Sequence, residues 1–590
     1  MAGTSLKRRL RSRPDASDVT RRRFLIGSGA AVGVSAAPAI LKGLRAEVAE
    51  RGSSLFTLGV ASGDPRAHSV VIWTRLAPDP LGGLGLPGFP IPVRWEVAGD
   101  PGMAKVLRRG LALATARDGY AVHAQVAGLP SDRWFYYRFE ALGEHSRIGR
   151  TRTFPGPRDG VGEMRFALAS CQDYQDGFYV AYRDMLRQDL DFVLHVGDYI
   201  YENGQTGNPI AEGRRHNSAE VFSVEDYRKR YALYRLDPDL QEAHARLPFV
   251  VTWDDHEADN NYAGKVAEED APVQGRAFLE RRRNAYQVYA ETMPLRLGNR
   301  LGARRNRLRL YRSLHFGDLA DIHVLDTRQF RSDQPCEDGF GSLDPESVAL
   351  EAEFGRLFCP EEIDDPEATL LGSRQERWLA RGLKFSRARW NILAQQVMMT
   401  EWNLAPFAQQ FLPEIETIFS VDAWDGYRAA RRRLFNLLAR LRPSNPVVLT
   451  GDIHSAWGAN LLEDFADPGS DILAAEFVGS SITSTFGDRD PRPNDALVRD
   501  TVVKANPQVA FFNGLYRGYC LCEVDRRRWR TTYRAAGTLE AIGNPDREAF
   551  IPFDDTPVET DAVLEIPAGF NAPGSGLRLE TKFARLPLGV

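Results

Sequence analysis

Between residues 55 and 155, apolar and polar positions alternate in short runs separated by turn-forming residues. Ser69-Val70-Val71-Ile72-Trp73-Thr74, Val93-Arg94-Trp95-Glu96-Val97 and Trp134-Phe135-Tyr136-Tyr137-Arg138-Phe139 are the clearest. None carries a helical period, so the pattern predicts strands, and strands at this spacing predict an all-β sandwich.

From residue 164 the rhythm changes. Residues 164–169 read as an apolar strand, 178–188 carry a helical period, and 192–196 read as a buried strand, apolar but for His195, that ends at Gly197-Asp198. Fully apolar strands alternating with helices predict βαβ units and a mostly parallel sheet buried on both faces. Further strands are predicted at 248–252, 320–325, 390–396 and 446–450, with antiparallel strands at 516–524 and 529–534. Ser373-Arg374-Gln375-Glu376 has capping-box spacing and predicts a helix start, and 424–440 reads as an amphipathic helix. Residues 203–245 and 331–370 read as polar, irregular insertions, long enough to fold over a site as lids. In the first module, Leu129-Pro130 ahead of the aromatic strand resembles the turn before a fibronectin-like strand.

At 590 residues, two or more domains are expected. A net charge of −4 argues against a general nucleic-acid binder. Only 8 of the 75 basic residues are Lys, so a phosphate contact would be a guanidinium fork rather than an ammonium. Thr20-Arg21-Arg22-Arg23-Phe24-Leu25 followed by small and apolar residues to Ala39 matches a twin-arginine export signal, with the translocase as partner. No stretch reaches the ~20 apolar residues a transmembrane helix needs, so the mature protein is expected to be periplasmic or extracellular and free of a membrane span. In such an oxidising compartment, Cys336 and Cys359 are the best disulfide candidates among five cysteines, because they flank the second insertion. Cys520 and Cys522 alternate onto one side of a predicted strand and read as small core residues.

Five clusters at predicted strand ends offer metal-binding side chains: Ser170-Cys171-Gln172, Gly197-Asp198-Tyr199-Ile200-Tyr201, Trp253-Asp254-Asp255-His256-Glu257, Gln395-Gln396 and Gly451-Asp452-Ile453-His454. The C-terminal ends of strands are where α/β sheets build sites. Asp198 can bridge two cations with its two oxygens. A phenolate from Tyr201 and a thiolate from Cys171 suit iron, whereas Asp255, Asp452 and nearby amides suit Ca²⁺, Mg²⁺ or Mn²⁺. Arg328, just after a strand end at Asp326, could clamp phosphate or make an ion pair.

These clusters resemble the PhoD-like alkaline phosphatase family, as does Leu58-Gly59-Val60-Ala61-Ser62-Gly63-Asp64-Pro65 and the strand that follows it. The resemblance implies a metallophosphoesterase core, a β-sheet sandwich flanked by helices and related to purple acid phosphatases, behind a small fibronectin- or Ig-like β domain. It implies one Fe³⁺ with one or more Ca²⁺ (Mg or Mn as substitutes). Cys171, Asp198, Tyr201 and His454 are the implied iron ligands, with Asp198 bridging to calcium and Asp452 and Asp255 at the second metal. His256 resembles a phosphate-contacting histidine able to protonate a leaving alkoxide. Asn260 and Asn261 could serve calcium, and Gln395 or Gln396 takes the place of a histidine ligand of the wider superfamily.

The expected division is an export signal at 1–39, a linker at 40–54, the β domain at 55–155, the catalytic domain at 160–545 and a tail at 546–590 that could pack over the site. The expected activity is hydrolysis of phosphomonoesters and phosphodiesters by in-line attack of a metal-bound hydroxide, serving phosphate scavenging. The alternatives are a phospholipase D-type phosphodiesterase on lipid headgroups and, remotely, a non-catalytic metal-binding cell-surface protein.

Overall fold

The structure is a computed structural model describing residues 54–585 apart from 83–84, 87, 206–212, 217, 269–270, 298–307, 337–338, 352–355, 410–411, 488–491 and 538–551. The export signal and most of the linker lie outside the described residues.

The first module contributes β1 (Val60–Arg66), β2 (Ser69–Arg75), β3 (Ile91–Ala98), β4 (Val106–Ala114), β5 (Ala121–Ala127), β6 (Trp134–Ala141), β7 (Glu144–His145) and β8 (Gly149–Arg152). They form the expected two layers, but the layers are not self-contained. β3, β4, β6, β7 and β8 make one sheet, whereas β1, β2 and β5 end a ten-stranded sheet that runs on into the rest of the chain. The junction is parallel pairing of β1 with β11 (Pro248–Val251), Ser62 opposite Pro248 and Gly63 opposite Phe249. A side chain on Gly63 would place its Cβ 2.5 Å from the Phe249 carbonyl oxygen, which is why glycine stands where the modules join. The core of this module also takes in Ala232 and Ala245.

β9 (Glu163–Ala169), α1 (Val180–Met185) and β10 (Phe192–His195) follow, then α2 (Val224–Arg235) and α3 (Pro238–Arg246) before β11, and α4 (Gly275–Thr292) after it. α2 and α3 correct the reading of 203–245 as irregular. Ser223 and Asp226 exchange hydrogen bonds in a capping box, and Asp237 caps α3 ahead of Pro238. The remaining strands are β12 (Arg312–Phe316), β13 (Ala320–Val324), β14 (Phe340–Gly341), β15 (Trp390–Ala394), β16 (Phe419–Ser420), β17 (Pro446–Thr450), β18 (Ala456–Leu462), β19 (Ile472–Val478), β20 (Val509–Asn513), β21 (Arg517–Asp525), β22 (Arg528–Ala536), β23 (Val558–Pro567) and β24 (Glu580–Ala584). Between them lie α5 (Gly372–Phe385) and α6 (Arg428–Leu441). α5 does not open on a capping box at Ser373. Its first turn begins at Gly372, whose N–H donates to the Thr369 hydroxyl at 2.8 Å, and the Gln375 amide is drawn inward to the Asp326 backbone.

The two large sheets run β24-β23-β22-β21-β9-β10-β11-β1-β2-β5 and β12-β13-β15-β17-β19-β18-β20. They pack face to face. Phe166, Leu168, Phe192, Leu194 and Val250 of the first meet Ile322, Ile392, Val447, Leu449 and Phe477 of the second. The alternate residues Ala167, Val193 and Phe249 face outward onto Tyr182, Tyr227 and Val288 of α1, α2 and α4, and Leu393 and Val448 face Leu379 and Leu434 of α5 and α6. The result is four layers, helix–sheet–sheet–helix, whose middle strands are buried on both faces as their continuous apolar runs predict. Cys520 and Cys522 lie in the inter-sheet core, and β21 and β22 pair antiparallel. β23 and β24 extend the ten-stranded sheet beyond β22. Cys336 and Cys359 are disulfide-bonded, with Cα atoms 5.6 Å apart, and close the second insertion.

His195, fully buried at the end of β10, has its pKa pulled down to about 3 by burial, and its Nε2 has no hydrogen-bond partner. The unfolded chain therefore binds a proton between pH 6.5 and 3 that the folded protein refuses, so this residue's contribution to stability is lost as pH falls through that window. His195→Leu should gain ~3 kcal/mol on the wild type between pH 6.5 and 4, from 1.36 kcal/mol per unit. Denaturant titrations at both pH values measure it. A stability difference independent of pH would show that His195 is not held neutral.

Candidate metal centre

Parallel pairing brings the candidate loops together. Ala169 of β9 lies opposite His195 of β10, His195 opposite Val251 of β11, and Ala394 of β15 opposite Leu449 of β17. The chains leaving these strands exit at one edge of the sandwich. They fit because each Gly-Asp pair begins with a residue lacking Cβ. A Cβ on Gly197 would lie 2.4 Å from that of Asp254, and one on Gly451 would lie 2.7 Å from the Ser170 hydroxyl.

Four candidate ligands adopt the left-handed backbone region: Cys171 (φ 57°), Asp198 (φ 54°), Asp452 (φ 67°) and His454 (φ 56°). For side chains with a Cβ this costs roughly 1–2 kcal/mol each. Strain of this kind, collected from three loops at one place, marks a site whose geometry the surrounding fold imposes.

The thiol of Cys171, a carboxylate oxygen of Asp198 and a ring nitrogen of His454 lie within 4.8 Å of one another. Tyr201 closes the group, its hydroxyl 3.1 Å from Asp198 Oδ2 and 3.0 Å from His454 Nε2. The Thr485 carbonyl accepts from His454 Nδ1 at 2.9 Å, which leaves Nε2 as the ligand nitrogen. Asp198, Asp255 and His256 form a second group, and Asp254, Asp255 and Asp452 a third, each within the same 4.8 Å. Asp198 and Asp255 are thus each shared between neighbouring groups.

This donor set fits a pair of cations. Asp198 Oδ1 and Asp255 Oδ1 are buried without a hydrogen-bond partner, a state that carboxylates tolerate only beside compensating positive charge. Burial, reinforced by the Asp198 charge, holds both the Cys171 thiol and the Tyr201 phenol well above their ordinary pKa. Burial also raises Asp198 far above the usual carboxylate range, with His256 opposing and Asp255 and Asp254 adding to it. It pushes Asp452 up to about 7 and His454 down to about 4. A cation at this point would reverse these directions by stabilising each anion and taking the histidine lone pair.

Around the groups sit residues that position them. Glu257 accepts the N–H groups of Asp198, Tyr199 and Asp254 at 3.1, 2.7 and 2.8 Å, stapling two ligand loops together. Glu202 accepts from His256 Nδ1 at 2.8 Å. Burial lowers the pKa of His256, but Glu202, Asp198 and Asp255 together outweigh it and raise it well above the ordinary value. The Ser484 hydroxyl donates to Tyr201 at 2.7 Å.

The other candidates fall differently. The side-chain amides of Asn260 and Asn261 both donate to Glu268 at 2.7 Å, and the Asn261 N–H donates to Asp255 Oδ2. Gln395 donates to the Thr450 hydroxyl and accepts from the Trp424 indole. Gln396 accepts from Thr327 and donates to Thr252, so both glutamines tie strands together. Arg328 does not present an open fork to an anion. It is fully buried, with its guanidinium against Asp254, against Asp422 at 2.6 Å, against Asp452 at 2.9 Å and against Asp255 at 3.6 Å. It neutralises the third group from behind.

Sequence reasoning placed Asp254 and Glu257 in a candidate cluster without giving either a role, and it assigned none to Glu202, Asp422 and Ser484. The doubled aspartate of Trp253-Asp254-Asp255 was the available signal for Asp254. β11 ends at Val251, so strand alternation no longer says which aspartate faces the site.

Among the described residues, no helix is long and apolar enough to cross a membrane. Residues 166–533 match the PhoD-like phosphatase family model, and residues 43–155 match the model of the N-terminal domain of PhoD-like phosphatases. Alkaline phosphatase D of Bacillus subtilis (strain 168) is 44% identical over 524 residues, covering 87% of this chain and 84% of that protein. The solved structure of PhoD matches with a TM-score of 0.78 at 41% identity, covering 91% of this chain and 94% of that one.

Proposed function

The chain belongs to the PhoD-like phosphatase family, and from that premise we propose that it is an exported, metal-dependent phosphoesterase acting on phosphomonoesters and phosphodiesters. The observation that carries the reading is the sharing of Asp198 and Asp255 between adjacent donor groups, each with a buried oxygen left unpartnered. The four-layer sandwich with ligand loops at one edge supports a metallophosphoesterase core. The Cys336–Cys359 disulfide supports an oxidising destination, in keeping with the twin-arginine pattern at Arg21-Arg22. Phosphate scavenging is the role this combination best serves.

Cys171, Asp198, Tyr201 and His454 would hold iron, because thiolate and phenolate are the soft and anionic donors in the set. Asp255, Asp452 and Asp254 would hold calcium, for which oxygen donors are preferred and which Mg²⁺ or Mn²⁺ could replace. When bound, such a pair lowers the pKa of water and neutralises charge on the phosphoryl oxygens. The chain itself supplies the rest. Glu257 fixes the spacing of the Asp198 and Asp254 loops, so that the donors need no rearrangement on binding. Glu202 holds Nδ1 of His256 and keeps the ring protonated, leaving Nε2 to contact phosphate and give a proton to the departing oxygen.

Metal analysis of the purified mature protein should find iron together with calcium. Exhaustive chelation should abolish hydrolysis of an aryl phosphate, and calcium added to the iron-retaining protein should restore it. Full turnover by protein holding neither metal would overturn the reading.

A further inference from the structure

Beside the Asp254, Asp255 and Asp452 group lies a cavity of about 300 Å³ that has no part in the chemistry above. Its walls include Met398, Trp402, Leu404, Ile418, Ile453 and Val498, and among the described residues the one charged side chain on them is Asp452. Asp452 belongs to both places. Its Oδ1 accepts from Arg328, yet the side chain keeps 24% of its surface exposed, whereas Arg328 keeps none. The cavity and the candidate metal centre therefore share one carboxylate. Its other walls come from distant parts of the chain: the disulfide-closed insertion through Phe340, the stretch after β15, and the helix Arg492–Leu497 with Val498.

An apolar chamber opening beside an ionic centre has little use for the phosphate, which the metals and His256 would hold. It suits what the phosphate carries. We propose that the cavity is a subsite for an apolar ester substituent, a short alkyl chain or an aryl group, and that it selects phosphoesters bearing one. This rests on the phosphoesterase reading. Size narrows the class further. A cavity of about 150 Å³ takes one benzene, so this one has room for a bicyclic aryl group or a single chain of about six carbons. The two long chains of a membrane phospholipid do not fit, which weighs against lipid as the preferred substrate.

The test is a series of p-nitrophenyl alkyl phosphodiesters with methyl, butyl and hexyl groups, which share one leaving group. With the metal-loaded wild type, kcat/KM should rise at least about tenfold from methyl to hexyl, since a buried methylene contributes up to ~0.8 kcal/mol. Calorimetric affinities of methyl-, butyl- and hexylphosphonate, which need no turnover, should rise in parallel. Ala408→Phe fills the cavity and Leu404→Asn makes its wall polar. Both should flatten the two series while the methyl ester rate stays within about twofold, because neither residue belongs to the donor groups. Flat rates and affinities in the wild type would overturn the subsite and leave the phosphoesterase standing. So would a rise that survives undiminished in both variants. If no ester were hydrolysed but phosphonate affinity still rose with chain length and fell in the variants, the subsite would stand and the phosphoesterase reading would fall. Flat affinity without turnover would remove both.

Discussion

Asp198→Asn is expected to reduce hydrolysis of an aryl phosphate by about a thousandfold or more, a loss of ~4 kcal/mol of transition-state stabilisation, while the protein remains folded. The reason lies in the two oxygens. Oδ2 is held by the Tyr201 hydroxyl at 3.1 Å, and Oδ1 is buried without a partner, free to join a second cation. An amide keeps the volume and one acceptor, but it cannot offer two anionic oxygens to two ions. Chelated protein should melt no lower as the variant than as wild type, since burial already opposes charge at this position. The two proteins should separate when metal is added, with the variant gaining less thermal stability. Turnover near wild type after metal reconstitution would remove Asp198 from the bridging position.

How much of this was open to reading depended on which physical signal each element carries. The strands feeding the site announce themselves because they are buried on both faces. Phe192 to Leu194 and Pro446 to Leu449 are unbroken apolar runs, and each is soon followed by a Gly-Asp pair set in a close-packed loop. Pairing partners are another matter. Val60 to Arg66, which holds Gly63, Asp64 and Pro65, carries no local strand pattern, and nothing local says that its neighbour is Pro248 to Val251, so the first module was read as separate. α2 was hidden because most of its buried residues, Tyr227, Arg230, Tyr231, Tyr234 and Arg235, are aromatic or charged and only Ala232 and Leu233 are aliphatic, which weakens the helical period in the sequence. β23 was hidden as well, because Glu559-Thr560-Asp561 near its start is a polar run, Ala562-Val563-Leu564 breaks any alternation, and a tail position invites reading it as an appendage. At the site, the ligands on strand ends were legible, whereas Glu202, Glu257 and Asp422 act through hydrogen bonds that only the folded chain defines.

Arg328→Met is expected to destabilise the metal-free protein by ~3–5 kcal/mol, the usual consequence of removing one partner from a buried charge network. The guanidinium is fully buried and faces Asp254, Asp255, Asp422 and Asp452. Methionine fills much of the same space, so the loss is one of charge compensation rather than of packing. Arg331 still reaches Asp422 at 2.7 Å, but the other three carboxylates lose the cation whose charge opposes their rise. Two consequences separate this account from simple misfolding. Cations at the candidate centre would replace part of the missing charge, so metal should raise the melting temperature more in the variant than in wild type. The deficit should also depend on pH in a definite direction. Carboxyls whose folded-state pKa is raised above the unfolded value bind protons more readily when folded, so the folded variant gains on the unfolded chain as pH falls. Asp452 already stands at about 7 and would rise further without Arg328. The deficit that Asp452 contributes should therefore be largest well above pH 7 and shrink as pH falls to about 7, where the wild-type carboxyl also takes its proton, as measured by denaturant titration of chelated protein from pH 9 to pH 7. A deficit constant over that range, or a chelated variant as stable as wild type, would show that the carboxylates do not depend on Arg328 for their charge.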